Sequence, residues 1–153
     1  MNTMPRAEPD IQLLDHPVSA LPFDPFPQPA GAECVFLGRT REETHPEHGA
    51  LRRLGYEAYR PMATRVLRDL AVEAGGRFDC LATRIHHAIG EVTPGGASVL
   101  VQVVCAHRGA AFEACRFLID RLKESAPIWK QEQWADGTTW SEGTTARATE
   151  DPA

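Results

Sequence analysis

The sequence predicts an α+β fold in which two principal helices pack on a mixed, mainly antiparallel sheet. Three observations support this prediction. Strand-like apolar runs outnumber helical segments, short turns containing glycine join two pairs of neighbouring strands, and the helices do not alternate with strands as in repeating βαβ units. A chain of 153 residues, 42% of them hydrophobic, is long enough for one globular domain with a core.

The first thirty residues contain seven prolines. This density excludes a long helix and leaves at most a short strand around residues 11–14. We therefore predict a proline-rich arm over residues 1–30, a main domain over residues 31–142 and a flexible C-terminal tail over residues 143–153.

The main domain opens with strands. Residues 32–37 are small and apolar, which predicts a buried strand ending at Gly38. The polar stretch 42–49 predicts a mobile loop, and residues 51–59 predict a second strand.

A first helix is predicted to begin at Pro61, because proline suits the first helical position, and to end at Gly75–Gly76. Strand character returns over residues 78–89, and a β-branched run over residues 97–106 is typical of a central strand. The turn at residues 93–96 predicts that these two strands form a hairpin. The apolar stripe of the helix comprises Met62, Ala63, Val66, Leu67, Leu70, Ala71 and Ala74.

A second helix is predicted over residues 109–124 and ends before Pro127. Residues 128–134 then alternate as a strand, Asp136–Gly137 is a two-residue turn, and residues 138–142 return as the partner strand. The predicted buried face of the helix carries Phe112, Cys115, Ile119 and Leu122.

Charge and cysteine usage limit the classes of partner. The net charge is −5, and residues 31–130 carry 14 basic and 12 acidic side chains, so extended contact with nucleic acid or an anionic membrane is not predicted. This charge balance still allows a small anionic ligand.

The four cysteines show no C-x-x-C spacing and predict buried free thiols. With no apolar run of about 20 residues and no apolar signal core, a cytoplasmic location is expected.

The chain has only two lysines, Lys123 and Lys130, within one short segment. Lysine differs from arginine because its amine can lose a proton, so the pair predicts catalytic chemistry. The alternative is that the two lysines are close by chance. Glu132 either orients the Lys130 amine or forms a cross-strand ion pair.

Four further basic residues are candidates for holding an anion. His107 and Arg108 lie where a strand passes into a helix, and helix N-termini attract anions. Arg39 and Arg41 follow a buried strand and suit phosphate or carboxylate. The alternatives are a capped surface turn for the first pair and solvated surface arginines for the second. No metal site is predicted, because no acid or cysteine completes a ligand set with the histidines.

Several segments, taken in order, resemble the catalytic (large) subunit family of molybdopterin synthase over residues 31–142. They are Phe36 to Arg41, Leu54 to Tyr59, His107–Arg108 with Ala111 to Ala114, Ile119 to Lys123, and Pro127 through Glu132 to Asp136–Gly137 and Trp140.

The resemblance implies an α/β hammerhead fold and a catalytic domain over residues 31–142. It further implies a homodimer within a heterotetramer, with a small ubiquitin-like sulfur-carrier subunit at each end and no cofactor. The carrier's Gly-Gly tail, as a thiocarboxylate, would give sulfur to cyclic pyranopterin monophosphate and build the dithiolene. By resemblance, Lys123 meets the tail and Lys130 acts on the pterin. The substrate-binding set is Phe36, Arg39, Arg41, His107, Arg108, Gln131 and Glu132.

Two positions depart from the family pattern. Ala88 stands where an arginine is common, which predicts one cation fewer near the site, and Thr144 stands where an arginine is expected to reach across the dimer. Arg147 is a candidate replacement for the arginine expected at position 144.

Two other hypotheses stay open: a non-catalytic module that binds a carrier tail or small anion, and an unrelated anion-binding enzyme such as a metal hydrolase.

Overall fold

The structure is a computed structural model that describes residues 7–141. Its elements, in chain order, are β1 (Asp10–Leu14), β2 (Ala32–Arg39), β3 (Thr44–His45), β4 (Gly49–Ala58), α1 (Arg60–Phe78), β5 (Ala82–Ala88), β6 (Gly90–Val92), β7 (Ala97–Cys105), α2 (Arg108–Ser125), β8 (Ile128–Trp134) and β9 (Gly137–Trp140).

The first sheet has four strands in the order β1-β5-β7-β2. Strand β1 runs parallel to β5, whereas the other two pairings are antiparallel. The short strand predicted around residues 11–14 is therefore confirmed, and it adds an edge strand to the sheet. The division into arm, domain and tail stays a prediction, and residues 142–153 lie outside the described part of the chain.

The second sheet has five strands, in the order β3-β4-β8-β9, with β6 also paired to β4. Strands β8 and β9 form the predicted hairpin, but its turn lies at Ala135–Asp136, one residue earlier than predicted, because Gly137 already pairs with Trp134. Gly137 has φ of 123°, which a glycine adopts without a steric penalty. The mixed α+β class is confirmed.

Both helices pack on one face of the first sheet and enclose the main core. Helix α1 buries Leu67 and helix α2 buries Leu118 against Val101 and Val103 of β7. The alternating side chains of β7 thus place one row under the helices. Within residues 7–141, no helix is long and apolar enough to cross a membrane.

Helix α1 is longer than predicted. It continues through Gly75 and Gly76 to Phe78, and it ends at Asp79, whose φ of 59° is left-handed. The prediction of an end at the glycines is wrong because Phe78 packs edge-on against Phe117 of α2, with ring centroids 5.5 Å apart. The strand predicted from residue 78 consequently begins only at Ala82.

The buried face of α2 agrees with the predicted one at Cys115 and Leu122, which are buried, but not at Phe112. Phe112 is 65% exposed, whereas Ala111, Ala114 and Leu118 are fully buried. Small residues face the sheet, which lets the helix lie close to it. The prediction of Phe112 as a core residue is wrong.

Two short strands were not predicted. Thr44–His45 pairs with β4 inside the predicted 42–49 loop. Strand β6 lies between β5 and β7 and joins the second sheet, after a bend at Gly90 with φ of 114°. Strands β5 and β7 still pair as predicted.

Candidate functional site

Two adjoining cavities lie between the first sheet, the second sheet and the C-terminal end of α2. The inner cavity has a volume of about 90 Å³, and the outer cavity has a volume of about 220 Å³. Lys123 and Lys130 line both cavities, together with Tyr56, Ser98 and Val99. The two amines therefore lie where the cavities meet, and the predicted proximity of the pair is observed.

Three elements bring the lysines together. Lys123 lies in the last turn of α2, and the chain reaches β8 after only Ala126 and Pro127. On β8, Lys130 is paired directly with Tyr56 of β4. Opposite residues of an antiparallel pair point to the same side, so the lysine and tyrosine side chains share the cavity wall.

The electrostatic environment of Lys130 makes its amine easier to deprotonate. Burial lowers the pKa of Lys130 below 10.5, and the positive charges of Lys123 and Arg41 lower it further. The carboxylates of Glu132 and Glu43 act in the opposite direction but do not cancel the shift. A lysine in this state is suited to moving protons.

Glu132 lines the outer cavity next to this amine. Its carboxylate accepts a hydrogen bond of 2.7 Å from the Thr139 hydroxyl, and that hydroxyl accepts one of 2.8 Å from the Trp134 indole. The chain of hydrogen bonds fixes the carboxylate on the hairpin of β8 and β9. Glu132 is thus held as part of the cavity wall.

Arg39, Arg41 and Phe36 also line the outer cavity. Arg39 donates a hydrogen bond of 2.8 Å to the Gly95 carbonyl, while the Arg41 side chain is 86% exposed. The backbone of Thr40 between them is bonded to Gly95 and Gly96, which fixes the segment. Two guanidinium groups and two amines therefore surround one cavity, an arrangement that attracts phosphate or carboxylate.

Three predicted residues lie elsewhere. Arg108 begins α2 and Lys123 lies in its last turn, so a rise of about 1.5 Å per residue puts roughly 22 Å between them along the axis. His107 and Arg108, which were expected to hold the substrate beside the lysines, lie at the other end of this 18-residue helix, so one chain does not bring the two pairs together. Gln131 alternates to the other face of β8, where it accepts a hydrogen bond from Gln133.

The inner cavity contains a residue that sequence reasoning did not select as a site residue, His87. Its Nδ1 lies 2.8 Å from the Ala88 carbonyl oxygen, and its ring packs edge-on against Tyr56 with centroids 5.1 Å apart. Burial is the main cause that lowers the pKa of His87 to about 4, so the ring is neutral at neutral pH. The Tyr56 hydroxyl, whose pKa is raised by burial, donates to Ser98 at 3.1 Å.

Ala88 does not change the charge of these cavities. Its side chain lies on the opposite face of β5 from His87, in an apolar cluster with Val18 and Leu100. The expectation that its substitution removes a cation near the lysines is wrong for this chain. Thr144 and Arg147 lie outside the described residues.

Comparison with known proteins identifies the family. The model of the MoaE protein family matches residues 13–125, which include most of the cavity walls. The chain belongs to the MoaE family.

Relatives of this MoaE family chain carry a consistent name. It is 44% identical over 112 residues to the molybdopterin synthase catalytic subunit of Nostoc sp., an alignment that covers 72% of this chain and 67% of the relative. It is 40% identical over 111 residues to the subunit of the same name from Bacillus subtilis, covering 72% and 69%.

A solved structure of the same family agrees with the fold. The crystal structure of molybdopterin synthase from Staphylococcus aureus has a TM-score of 0.75 and 32% sequence identity. The match covers 85% of this MoaE family chain and 94% of that one. The arrangement of sheets and helices is therefore shared with that structure.

Proposed function

We propose that this chain is the catalytic subunit of a molybdopterin synthase. It transfers sulfur from the C-terminal thiocarboxylate of a small ubiquitin-like carrier to cyclic pyranopterin monophosphate, and two transfers build the dithiolene of molybdopterin. The observation that carries the proposal is the meeting of Lys123 and Lys130 between two cavities, with the Lys130 pKa lowered. Relatives with the molybdopterin synthase name support the same reaction.

The two cavities suit the two substrates. The outer cavity carries Arg39 and Arg41 and is the larger, so we assign it to the phosphate and pterin. The inner cavity is smaller and lined partly by apolar residues, including Leu122 and Ile128, so we assign it to the end of the carrier tail. The anionic thiocarboxylate and the anionic phosphate would then meet at the lysines, which reduces their mutual repulsion.

The cysteines support an external source of sulfur. Neither cavity is lined by a cysteine. Burial raises the pKa of Cys105, and burial together with the neighbouring Cys34 raises the pKa of Cys115 to about 12, so these thiols are poor nucleophiles. We infer that the sulfur arrives on a partner.

Free thiols also agree with a cytoplasmic location, which we propose on that ground.

A second copy of the chain is needed to complete the cation set. His107 and Arg108 lie too far from the lysines of their own chain, and the family resemblance implies a homodimer. We propose that the His107–Arg108 pair of one copy faces the outer cavity of the other. A solved complex of subunits 1 and 2 of the molybdopterin-converting factor from Helicobacter pylori shares the fold at a TM-score of 0.62 and 24% identity. We accordingly expect a heterotetramer with two carriers.

The reaction itself is the direct test. The purified chain is mixed with a thiocarboxylated Gly-Gly carrier and cyclic pyranopterin monophosphate, and the dithiolene product is measured after a single turnover. We expect product in amounts that follow the thiocarboxylate supplied. Binding of the carrier at one per chain without any product would instead favour the non-catalytic binding module.

A further inference from the structure

Strand β2 forms one edge of the first sheet, and within residues 7–141 no further strand pairs with its outer side. An open groove of about 330 Å³ lies between this edge and α2 and is lined mostly by apolar side chains. Val35 of β2 is 44% exposed there, and Phe112 of α2 is 65% exposed. A strand edge beside exposed apolar side chains favours association with another chain.

The charge of this groove suits a second copy of the same chain. Arg116 and Asp120 are the charged residues that line it, and they form an ion pair of 3.9 Å. In a dimer with twofold symmetry the same patch meets itself, so a patch with charges of one sign would repel its partner. This patch carries one basic and one acidic group, so it does not repel itself in that way.

The groove runs between two elements that point in the same direction. The start of β2, at Ala32, pairs with Cys105, and α2 begins shortly afterwards at Arg108. The end of β2, at Arg39, lines the outer cavity together with Lys123 from the last turn of α2. The start of α2 therefore lies at one end of β2, and the cavity lies at the other.

The lengths of these two elements match. Strand β2 has eight residues, which span roughly 23 Å at about 3.3 Å per residue. Arg108 and Lys123 are separated by roughly 22 Å along α2. If the two copies of β2 pair antiparallel, the start of each strand lies beside the end of the other. Arg108 of each copy then reaches the end of β2 where the other copy has its outer cavity.

We propose that the edge of β2 and its groove form the homodimer interface, with the two copies of β2 paired antiparallel about a twofold axis at Val35. Val35 is the exposed apolar residue in the middle of the strand. Arg108 precedes Phe112 by four residues, so it lies on the same face of α2 as the groove. The inference rests on the proposed function, which requires Arg108 of a second copy, and it identifies the surface that supplies this residue.

Sedimentation velocity of the full chain tests the interface without needing activity. The parent chain is expected to sediment as a dimer. Val35→Glu places two carboxylates opposite each other at the axis, so we expect the dimer dissociation constant to rise at least about a hundredfold. Phe112→Glu, on the helix side of the groove, should raise it at least about tenfold. The control is Val72→Glu, which changes an exposed apolar residue of α1 and should leave the dissociation constant unchanged.

Mixing chains of opposite charge tests the pairing at Val35 itself. Val35→Glu and Val35→Lys chains should each be monomeric, and their mixture should recover dimers because opposite charges then face each other. A monomeric parent chain, parental dimerisation of Val35→Glu, or a mixture without dimers overturns the inference. It is also overturned if Val35→Glu weakens binding of the carrier and not dimerisation, since the carrier would then occupy the edge.

Single-turnover sulfur transfer connects the interface to the site. We expect Val35→Glu to lose at least about tenfold in rate at concentrations where it is monomeric, because Arg108 of the second copy is then missing. The mixture with Val35→Lys should recover the rate. A monomeric Val35→Glu chain with the parental rate contradicts the delivery of Arg108 across this edge. If the parent chain dimerises as expected but forms no dithiolene, the interface stands, and the failure counts against the proposed function.

Discussion

Lys130 differs from an ordinary surface lysine because its amine is partly withdrawn from water and lies near other cations. We predict that its pKa lies below 10.5 and falls further in Glu132→Gln, because the Glu132 carboxylate favours the charged amine. Isotope-labelled lysine gives only two NMR signals in this chain, so both pKa values can be titrated directly.

The control for this titration is Glu57→Gln, which removes an exposed carboxylate paired across from Trp129 on the other face of β4. It should leave the Lys130 pKa unchanged. A Lys130 pKa at or above 10.5 in the parent chain would contradict the account of the site.

His87 makes the folding stability depend on pH. Its pKa falls from 6.5 in the unfolded chain to about 4 in the folded one, so the unfolded chain binds more protons between these values. The stabilising effect of the neutral ring is complete above pH 6.5 and is lost as the pH falls towards 4, in total about 3 kcal/mol.

We predict that His87→Gln removes this dependence. Urea unfolding at pH 7 and pH 4.5 should show a smaller loss of unfolding free energy in the variant than in the parent chain. The exposed His16→Gln should retain the parental loss. An equal loss in His87→Gln and the parent would show that the buried ring does not resist protonation.

At the scale of single residues, the sequence identifies the charged side chains but does not show the direction in which each one points. The rarity of lysine identifies Lys123 and Lys130, and a short connection between helix and strand brings them together. Gln131 was selected with its neighbours, but strand alternation turns it away. His87 was missed because the cavity that it lines is completed by β4 and by the end of α2, which no local pattern reveals.

Among the elements, the proline-rich arm is tied to the first sheet through Arg84. Its guanidinium donates to Asp10 at 2.7 Å and to the Leu21 carbonyl at 2.8 Å, and it stacks over the Phe23 ring at 4.2 Å. The pKa of Asp10 is lowered because the hydrogen bonds from Arg84 and His86 outweigh the opposing effect of burial. The arm thus covers the sheet face opposite the helices.

We predict that Arg84→Met lowers the unfolding free energy by about 2 kcal/mol, because it removes a charged donor from the partly buried Asp10 carboxylate and one of the two donors to the Leu21 carbonyl. The matched control is Arg68→Met, which breaks an exposed ion pair with Glu8 of the same arm and should cost less than about 1 kcal/mol. Urea denaturation measures both. Equal losses in the two variants would mean that the Arg84 contacts do not hold the arm.

The positions of helices and strands could be predicted where the apolar periodicity is strong. Their boundaries could not be predicted where tertiary contacts determine them. The order of strands and helices followed from apolar runs and turn residues. The end of α1 did not, because packing of Phe78 on Phe117 carries the helix past two glycines. The buried face of α2 was predicted only in part, because alanines, rather than the large Phe112, allow close approach to the sheet.

For the whole molecule, the distance between the lysines and Arg108 is the reason for our proposal that a second copy of the chain contributes to the site. If two copies share each site, Lys123→Met and Arg108→Ala chains are each inactive alone. Mixed dimers would contain one intact site, made from the lysines of one chain and Arg108 of the other. Random mixing should restore about one quarter of the parental activity. No recovery on mixing would mean that each chain works by itself.

The sequence could not supply this geometry, because a residue pattern does not show which surface meets a second copy. Arg108 and Lys123 lie at opposite ends of α2, and the folded helix shows the distance between them. The dimer stays a prediction from the family resemblance, and the separation of Arg108 from Lys123 within one chain agrees with it.

The central claim is that two amines meeting between two cavities carry out sulfur transfer, and the rate of dithiolene formation by Lys123→Arg and Lys130→Arg tests it most directly. Arginine keeps the positive charge but does not lose its proton near neutral pH, so each variant should fall by at least about a hundredfold. Arg65→Met, on the exposed face of α1, should remain at the parental rate. Parental rates in both lysine variants would contradict the account.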